Sequence, residues 1–416
     1  MIAALVIFCA TYLFLAGAEM PFLALDRPGG ALAGAAAMVV FGVLTPEQVY
    51  REAISWDTIV LLLGMMILSS VMARAGIFRW VGFVALRRAH GPKSLLAAVV
   101  VVAGLLSAFL VNDTVCVMCT PMIVAMVEAA SLPPLPFLLA LAFASNAGSV
   151  ATLTGNPQNM LIGTLSRIPY AHFTAALALP AILSVACVYL VLRIAFRSDL
   201  GAVRRIEVDV PPPELHRGNA IACAGALVFV VAGFLLGYDL AWTALVGSAL
   251  LLVVTRGPPR EVFAQVDGTL LLFFAGLFVV THGVAQAGIA ERIFRALEPG
   301  LGFDALQQTL RFGAFTVAAC QLVSNVPFVL LAGHWVPHFV DPHLGWLSLA
   351  LFSTLAGNLT PVASVANLIV LELGGRHGKV PFFQFLKIGA AATFLPLLLG
   401  AACLLAERRL GLLTGP

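Results

Sequence analysis

The stretch that decides the fold is ASNAGSVATLTGNPQNMLIG, residues 144–163, an apolar run interrupted by helix breakers. Gly155 and Pro157 stand in its second half, and a helix that begins before them does not continue through them. A second run, STLAGNLTPVASVANLIV at residues 353–370, repeats the arrangement around Pro361. The two runs predict two broken helices in strongly apolar surroundings. Backbone of that kind is tolerated inside a membrane only where it is buried in protein or lines a cavity.

The composition predicts the same class of protein. The 416 residues include 23 Lys and Arg and 20 Asp and Glu, so only 10% are charged, while 61% are hydrophobic. A soluble domain carries roughly 25% charged residues, so a soluble enzyme is excluded. The net charge of +3 is too small to indicate a nucleic-acid partner. Seven cysteines, all in apolar stretches, do not form a disulfide framework.

Two halves of the chain repeat each other. A polar, proline-containing segment at residues 197–218 separates them and reads as a cytoplasmic linker. The landmarks recur at a nearly constant separation: Asp57 with Asp267, Ala75-Gly76-Ile77 with Ala287-Gly288-Ile289, Asn112 with Asn325, and Asn159 with Asn367. We therefore predict one repeat at residues 1–196 and a second at residues 219–416.

Each repeat opens with three apolar spans and closes with one more. The spans are predicted at residues 1–18, 30–45, 56–75 and 172–196, and at residues 219–236, 240–254, 267–287 and 383–405. A short amphipathic helix follows the third span of each repeat, at residues 77–90 and from Ile289 to Leu301. Such helices lie along the membrane interface.

Between these elements each repeat has a hairpin and a broken helix. Residues 94–127 are long for one span and polar in the middle, so they predict a re-entrant hairpin with arms of 17 and 14 residues. The second hairpin is predicted at 305–340, and the broken helices at 136–165 and 346–372. The fold class is thus an all-α polytopic membrane protein with five transmembrane helices and one re-entrant hairpin per repeat. Five is an odd number, so the repeats are inverted, and most Lys and Arg then fall on the cytoplasmic side.

The hairpin tips and helix breaks are expected to meet near the middle of the membrane. Helix N-termini there offer N–H groups to substrate oxygens, and freed carbonyls accept hydrogen bonds or bind a cation. The candidate substrate-binding residues are Asn112, Asp113, Thr114, Thr154, Asn156, Asn159, Ser324, Asn325, Asn358, Thr360, Ser364 and Asn367. An alternative for each residue is that its side chain only satisfies the broken backbone.

Asp113 is the single acidic residue that this topology places deep in the membrane. Burying an ionisable group there costs free energy, so such a residue indicates a function by default. We therefore predict that Asp113 binds the coupling ion. Its counterpart in the second repeat is Val326, so only one repeat supplies a charge. The alternative is that Asp113 merely caps a hairpin arm.

With these residues the sequence resembles the ion-transporter superfamily, and within it the arsenite/antimonite efflux permeases and related anion permeases. The resemblance rests on Asn112-Asp113, the TLTGNPQNMLIG block, Ser324-Asn325-x-Pro327 and GNLTPVASVANLIV. It covers essentially the whole chain. It implies a secondary transporter of the inner membrane, commonly a homodimer, whose hairpins and broken helices move against a scaffold. It implies no enzymatic activity, cofactor or metal.

The substrate is predicted from charge. Dicarboxylate members carry Ser-Asn-Thr at both tips, whereas here the tips read Val-Asn-Asp and Ser-Asn-Val. A fixed acid beside the substrate repels a dianion, so we favour proton-coupled efflux of arsenite or antimonite. A sodium-coupled inorganic or organic anion permease and a sodium/proton antiporter are the alternatives. The chain lacks a P-loop, so it must use an ion gradient or a separate cytoplasmic ATPase subunit.

Two further side chains have a functional and a structural interpretation. Cys116 and Cys119 are spaced to meet a thiophilic metalloid, but cysteine is also a common small residue in buried helices. Tight thiolate bonding would hinder release, so we expect both thiols to be structural. His282 lies toward the end of a span and is expected at the interface, with a proton relay as the alternative.

Overall fold

Helices make up the regular structure of the residues that the computed structural model describes, which are 1–15, 26–202 and 211–413. The last residues of the first predicted span and the middle of the predicted linker lie outside these ranges. In chain order the first half contains α1 (Ile2–Leu15), α2 (Arg27–Val40), α3 (Pro46–Gln48), α4 (Trp56–Arg74), α5 (Ile77–Arg88), α6 (Pro92–Phe109), α7 (Asn112–Ala129), α8 (Leu135–Ser149), α9 (Pro157–Ser166), α10 (Tyr170–Ala195) and α11 (Asp199–Ala202).

The second half has the same order of elements. It contains α12 (Arg217–Leu235), α13 (Leu240–Thr255), α14 (Pro259–Phe263), α15 (Gly268–Gln286), α16 (Ile289–Leu301), α17 (Ala305–Val323), α18 (Asn325–Ala332), α19 (Pro342–Ala356), α20 (Val365–Leu373) and α21 (Phe382–Arg409). A π-helical turn at Val49–Ala53 and 3₁₀ turns at Val336–His338, Pro361–Ala363 and Gly375–Gly378 complete the connections.

Side-chain caps set the start of several helices. Asp26, Asp239, Asp304 and Asp341 each accept a hydrogen bond from the backbone N–H three residues on, at 2.8 to 3.0 Å. A capping carboxylate satisfies one of the free N–H groups of the first turn and is stabilised by the helix dipole. Several of the chain's 20 acidic residues thus stabilise helix starts, and Asp341 also pairs with Arg408 at 2.6 Å.

The repeated Ala-Gly-Ile triplet has a conformational cause. Gly76 and Gly288 have φ values of 84° and 71° and connect α4 to α5 and α15 to α16. That left-handed conformation costs a residue with a Cβ roughly 1 kcal/mol or more. Each glycine thus turns the chain from a span into the amphipathic helix that follows it.

Helices of one half pack against helices of the other half in matched pairs. α2 packs against α15, and its counterpart α13 packs against α4, the counterpart of α15. Likewise α7 packs against α20, while α18 packs against α9. This reciprocal packing gives each half's hairpin a neighbour from the other half's broken helix. The opposite orientation of the halves across the bilayer, and the boundaries of the repeats as units, stay predictions.

Both arms of the first hairpin are longer than predicted. α6 and α7 have 18 residues each, instead of 17 and 14. Pro92 occupies the first turn of α6, where proline is favoured, and Pro121 lies inside α7 without ending it. Each arm is long enough to cross a bilayer, so length alone does not require re-entry, which stays a prediction.

Seven of the described helices are long and apolar enough to span a membrane: α4, α6, α7, α10, α12, α15 and α21. Shorter apolar helices, α1, α8 and α13, accompany them. The outward faces are apolar as well, with Val101, Ile182 and Val253 between 58% and 74% exposed. The protein is a multi-pass membrane protein, as its composition indicates.

Candidate functional site

The first hairpin tip is joined to the first helix break. Only Leu110 and Val111 separate α6 from α7, and the backbone N–H of Asn112 donates to the carbonyl of Gly155 at 2.9 Å. Gly155 lies in the unwound segment between α8 and α9. The tip and the break therefore form one buried unit, and a side chain on Gly155 would overlap the carbonyl of Ser149.

One asparagine in each half braces the broken helix. The Asn159 amide donates to the carbonyls of Ser149 and Thr152 at 3.1 and 3.0 Å. In the second half the Asn367 amide donates to the carbonyls of Gly357 and Thr360 at 2.6 and 3.2 Å. These carbonyls lose their helical partners at the break and need others in an apolar interior. Asn159 and Asn367 therefore satisfy the backbone of the broken helices, as the alternative to substrate binding proposes.

The second hairpin tip is formed by Ser324 alone, between α17 and α18. Its φ of 68° is unusual for a residue with a side chain and turns the chain within one residue. The Ser324 hydroxyl donates to the carbonyl of Ala363 at 3.4 Å, beside the second break. Asn325 accepts a hydrogen bond from the N–H of Val326 at 2.9 Å. The second tip thus also adjoins a break.

Asn146 joins the two halves. Its amide oxygen accepts hydrogen bonds from Asn112 at 3.1 Å and from Ser364 at 3.2 Å. Its amide nitrogen donates to Asn358 at 2.9 Å and to Asn367 at 3.3 Å. The side chain is fully buried, and every hydrogen-bonding position of its amide is used. One amide on α8 thus connects the first hairpin tip with the second broken helix.

A cavity of about 220 Å³ lies where the tips and breaks meet. Of the candidate residues it brings together Asn112, Asp113, Ser324, Asn325 and Ser364. The remaining candidates do not line it: Thr114, Thr154, Asn156, Asn159, Asn358, Thr360 and Asn367. Several of those are held in the surrounding network; Asn156 caps α9 through the N–H of Asn159 at 2.8 Å, and Thr360 donates to Gln321 at 2.8 Å.

Helix N-termini dominate the wall of this cavity. Six helices begin there, at or next to the lining residues Arg27, Asn112, Pro157, Thr269, Asn325 and Val365. Each N-terminus carries a partial positive charge, and the first-turn N–H groups that no cap engages can donate to a ligand. The arrangement favours oxygen atoms of a substrate.

Acidic side chains offset these positive helix ends. The cavity is lined by Asp113, Asp267 and Glu372 and by one basic residue, Arg27. Sequence reasoning missed Asp267, Glu372 and Arg27 as site residues, since each stands at the edge of a predicted span. Together with Asp113 they give the cavity wall a net negative formal charge, which disfavours the binding of a multiply charged anion.

Asp113 differs from the other three charged residues in burial and in bonding. Its side chain is 8% exposed, and it is the only buried acid among the described residues. Its carboxylate has no hydrogen bond or ion pair to any part of the chain that the structure covers. The neighbouring Asn112 Oδ1 atom is also buried without a partner. Two adjacent oxygen-bearing groups at the first tip are thus left available to a proton, a cation or a substrate hydroxyl.

Neither of the two cysteines on α7 lines this cavity. Cys116 is fully buried, with its sulfur 3.2 Å from the Ser145 hydroxyl. Cys119 faces a small apolar gap beside Met122 and Leu141. His282 is also outside the cavity wall, with its Nε2 atom 3.9 Å from a carboxylate oxygen of Glu52.

Replacing both thiols is therefore expected to leave transport nearly unchanged. In a Cys116→Ser, Cys119→Ala variant, the serine hydroxyl replaces the thiol as hydrogen-bond partner of Ser145, and alanine fits the apolar gap. Initial uptake rates into everted vesicles, measured with arsenite as the substrate that the sequence predicts, should stay within about twofold of the parent, since conservative changes outside a site cost little. A loss of transport in a correctly inserted variant would instead assign a thiol to the substrate.

Comparison with known proteins places the chain among transporters. The profile of the family described as CitMHS, citrate transporter, matches residues 4–356. A Dictyostelium discoideum protein provisionally named transporter arsB is 26% identical, with 91% of this chain and 87% of that protein aligned. The silicon efflux transporter LSI3 of Oryza sativa subsp. japonica is 28% identical, with 92% and 93% aligned.

A solved structure shows the same fold. The YdaH transporter of Alcanivorax borkumensis, whose crystal structure is described as having an unusual topology, superposes over 100% of both chains with a TM-score of 0.63 and 17% identity. At that identity the likeness concerns the arrangement of the helices alone. Its coverage extends over both halves of the chain.

Proposed function

The chain belongs to the citrate transporter family of the ion-transporter superfamily and is a membrane transporter; from this premise we propose that it exports arsenite or antimonite in exchange for protons. The observation that carries the proposal is the cavity, whose wall combines the unpaired Asp113 carboxylate with the N-termini of six helices. Arsenous acid is a neutral trihydroxide in neutral water, so it can donate to carboxylate and amide oxygens and accept from helix N–H groups.

Charge supports a neutral substrate over citrate, despite the family's name. At an effective dielectric constant near 20, a substrate charge about 6 Å from a like charge costs roughly 3 kcal/mol. Three acids and one base line the cavity, so the cost rises with every negative charge on the substrate. The similarity to the silicon efflux transporter LSI3 agrees with this choice, since silicic acid is also a neutral hydroxylated solute.

Asp113 is the proposed proton carrier. A carboxyl group without a fixed ion-pair partner can change its protonation state without breaking a structural contact. Protonated, it leaves a cavity with less negative charge; ionised, it attracts a proton from the side to which the cavity opens. Substrate export at the inner membrane is then driven by the inward proton gradient.

A sodium-coupled anion permease is the second candidate, because six converging helix N-termini are also a common anion-binding arrangement. Everted vesicles separate the two. With an imposed pH gradient and no sodium, we expect uptake of arsenite that is abolished by a protonophore. Sodium-dependent uptake of citrate or phosphate, without arsenite transport, would overturn the proposal.

A growth assay extends the same test to whole cells. A host sensitive to arsenite, antimonite and high sodium should be rescued on the two metalloids when it expresses the protein. Rescue on sodium alone would show a sodium/proton antiporter instead. A host that expresses the Asp113→Asn variant at equal membrane levels is the matched control.

A further inference from the structure

A groove on the outer face of the first half lies apart from the transport cavity. It runs between the amphipathic helix α5 and the hairpin arm α6 and has a volume of about 470 Å³. Its wall includes Trp80, Val84 and Val101, and its polar lining groups are Arg88 and Ser94. Apolar walls with polar groups at one end suit an amphipathic occupant.

The direction of the groove follows α6. Ser94 lies in the first turn of that helix, and Val101 lies about 10 Å further along it at 1.5 Å per residue. Val101 and Leu105 are 58% and 60% exposed on the outward face of a helix long enough to span a membrane. The groove thus leads from the start of a span toward the membrane interior, which is the path of a lipid acyl chain.

The charged residues of α5 and of the start of α6 are all basic. The sequence contains no Asp or Glu between Asp57 and Asp113. Arg88 and Lys93 are exposed and form no ion pair within the described residues. Arg87 packs its guanidinium group 5.7 Å from the centre of the Phe83 ring. In the part of the chain that the structure describes, Arg88 and Lys93 thus lie without acidic partners at the end of an apolar groove, which favours binding of an anionic ligand there.

The corresponding helix of the second half shows that this is not a general property of the fold. α16 carries Glu291 and Glu298 with Arg292 and Arg295, and Arg295 pairs with Glu291 at 2.7 Å. Its charges are balanced within the helix, whereas α5 and the start of α6 carry only cations.

We propose that the groove between α5 and α6 is a binding site for an anionic phospholipid. One acyl chain lies along Val84 and Val101, and the phosphate group is held by Arg88 at the end of α5, with Lys93 of the first turn of α6 beside it. Trp80 contacts the chain from α5. A phospholipid rather than free phosphate is the occupant, because most of the lining is apolar.

Fluorescence quenching by brominated lipids tests the site in the full-length protein. The chain has five tryptophans, so the signal of Trp80 is taken as the difference between the parent and a Trp80→Phe variant. The protein in mixed micelles is titrated with brominated phosphatidylglycerol and, separately, with brominated phosphatidylcholine. We expect Trp80 to be half-quenched at a lower mole fraction of the anionic lipid.

Charge removal supplies the decisive comparison. An Arg88→Gln, Lys93→Gln variant should lose the preference, by roughly fivefold for each cation removed. The matched control, Arg292→Gln with Arg295→Gln, removes two charges from α16 and should keep it. Equal quenching of the parent by both lipids, or an unchanged preference in the Arg88 and Lys93 variant, would overturn the proposal. Native mass spectrometry of the same variants, counting retained phosphatidylglycerol, gives an answer independent of tryptophan emission.

Discussion

Asp113→Asn is expected to reduce proton-driven arsenite uptake to the level of vesicles without the protein. Asparagine has nearly the same shape as aspartate, so the first hairpin tip and the cavity keep their form. It cannot take up or release a proton, so the gradient no longer drives substrate movement. Initial uptake rates in everted vesicles under an imposed pH gradient measure the effect.

The same variant should still exchange substrate. Exchange of labelled for unlabelled arsenite needs the binding cavity but no net proton movement, so it is expected to persist at a measurable rate. Asp239→Asn is the matched control: Asp239 caps α13 at the surface, and asparagine is an equally good cap. Unchanged gradient-driven uptake in the Asp113→Asn variant would show that Asp113 does not carry the coupling proton.

Asn146→Leu is expected to lower the stability of the folded protein more than any other amide substitution at the site. The change removes two donated and two accepted hydrogen bonds at once and leaves buried groups of Asn112, Ser364 and Asn358 without a partner. Hydrogen bonds between membrane helices average about 0.6 kcal/mol, and buried unpaired groups cost about 1–3 kcal/mol each. A loss of at least about 2 kcal/mol follows.

Unfolding in mixed micelles with increasing dodecyl sulfate measures this loss. Asn219→Leu, in the first turn of α12, is the control for adding leucine, because its side chain makes no hydrogen bond within the described structure. Thr354→Val should have an intermediate effect, since within the described ranges Thr354 accepts hydrogen bonds only from Asn156 and Gln158. An unchanged midpoint for Asn146→Leu would mean that the network does not join the two halves energetically.

Local sequence signals predict most of the element order. Gly155 with Pro157, and Gly357 with Pro361, interrupt helices through their own backbone restrictions, so the breaks appear in the sequence regardless of what packs around them. The second break extends from residue 357 to residue 364, and α20 begins directly after it at Val365. The lengths of the hairpin arms were underestimated because apolar residues on both sides of a tip do not mark where a helix ends.

The division of roles among the candidate residues depends on distant contacts. Asn112 and Asn367 are both asparagines near a tip or a break, yet Asn112 lines the cavity and Asn367 braces unwound backbone. Asn146 was missed because it lies inside an apolar helix. Its partners in the second half are more than 200 residues away, and no local pattern identifies them.

The sequence by itself determined the membrane location, the repeated order of elements, the two broken helices and the single acid at a hairpin tip. These follow from composition, spacing and backbone restrictions, which act within a few residues. Only the tertiary structure decided which polar groups face the cavity, because that depends on how helices from both halves pack. It brought Arg27, Asp267 and Glu372 from the ends of separate helices to one cavity and so gave it a net negative formal charge.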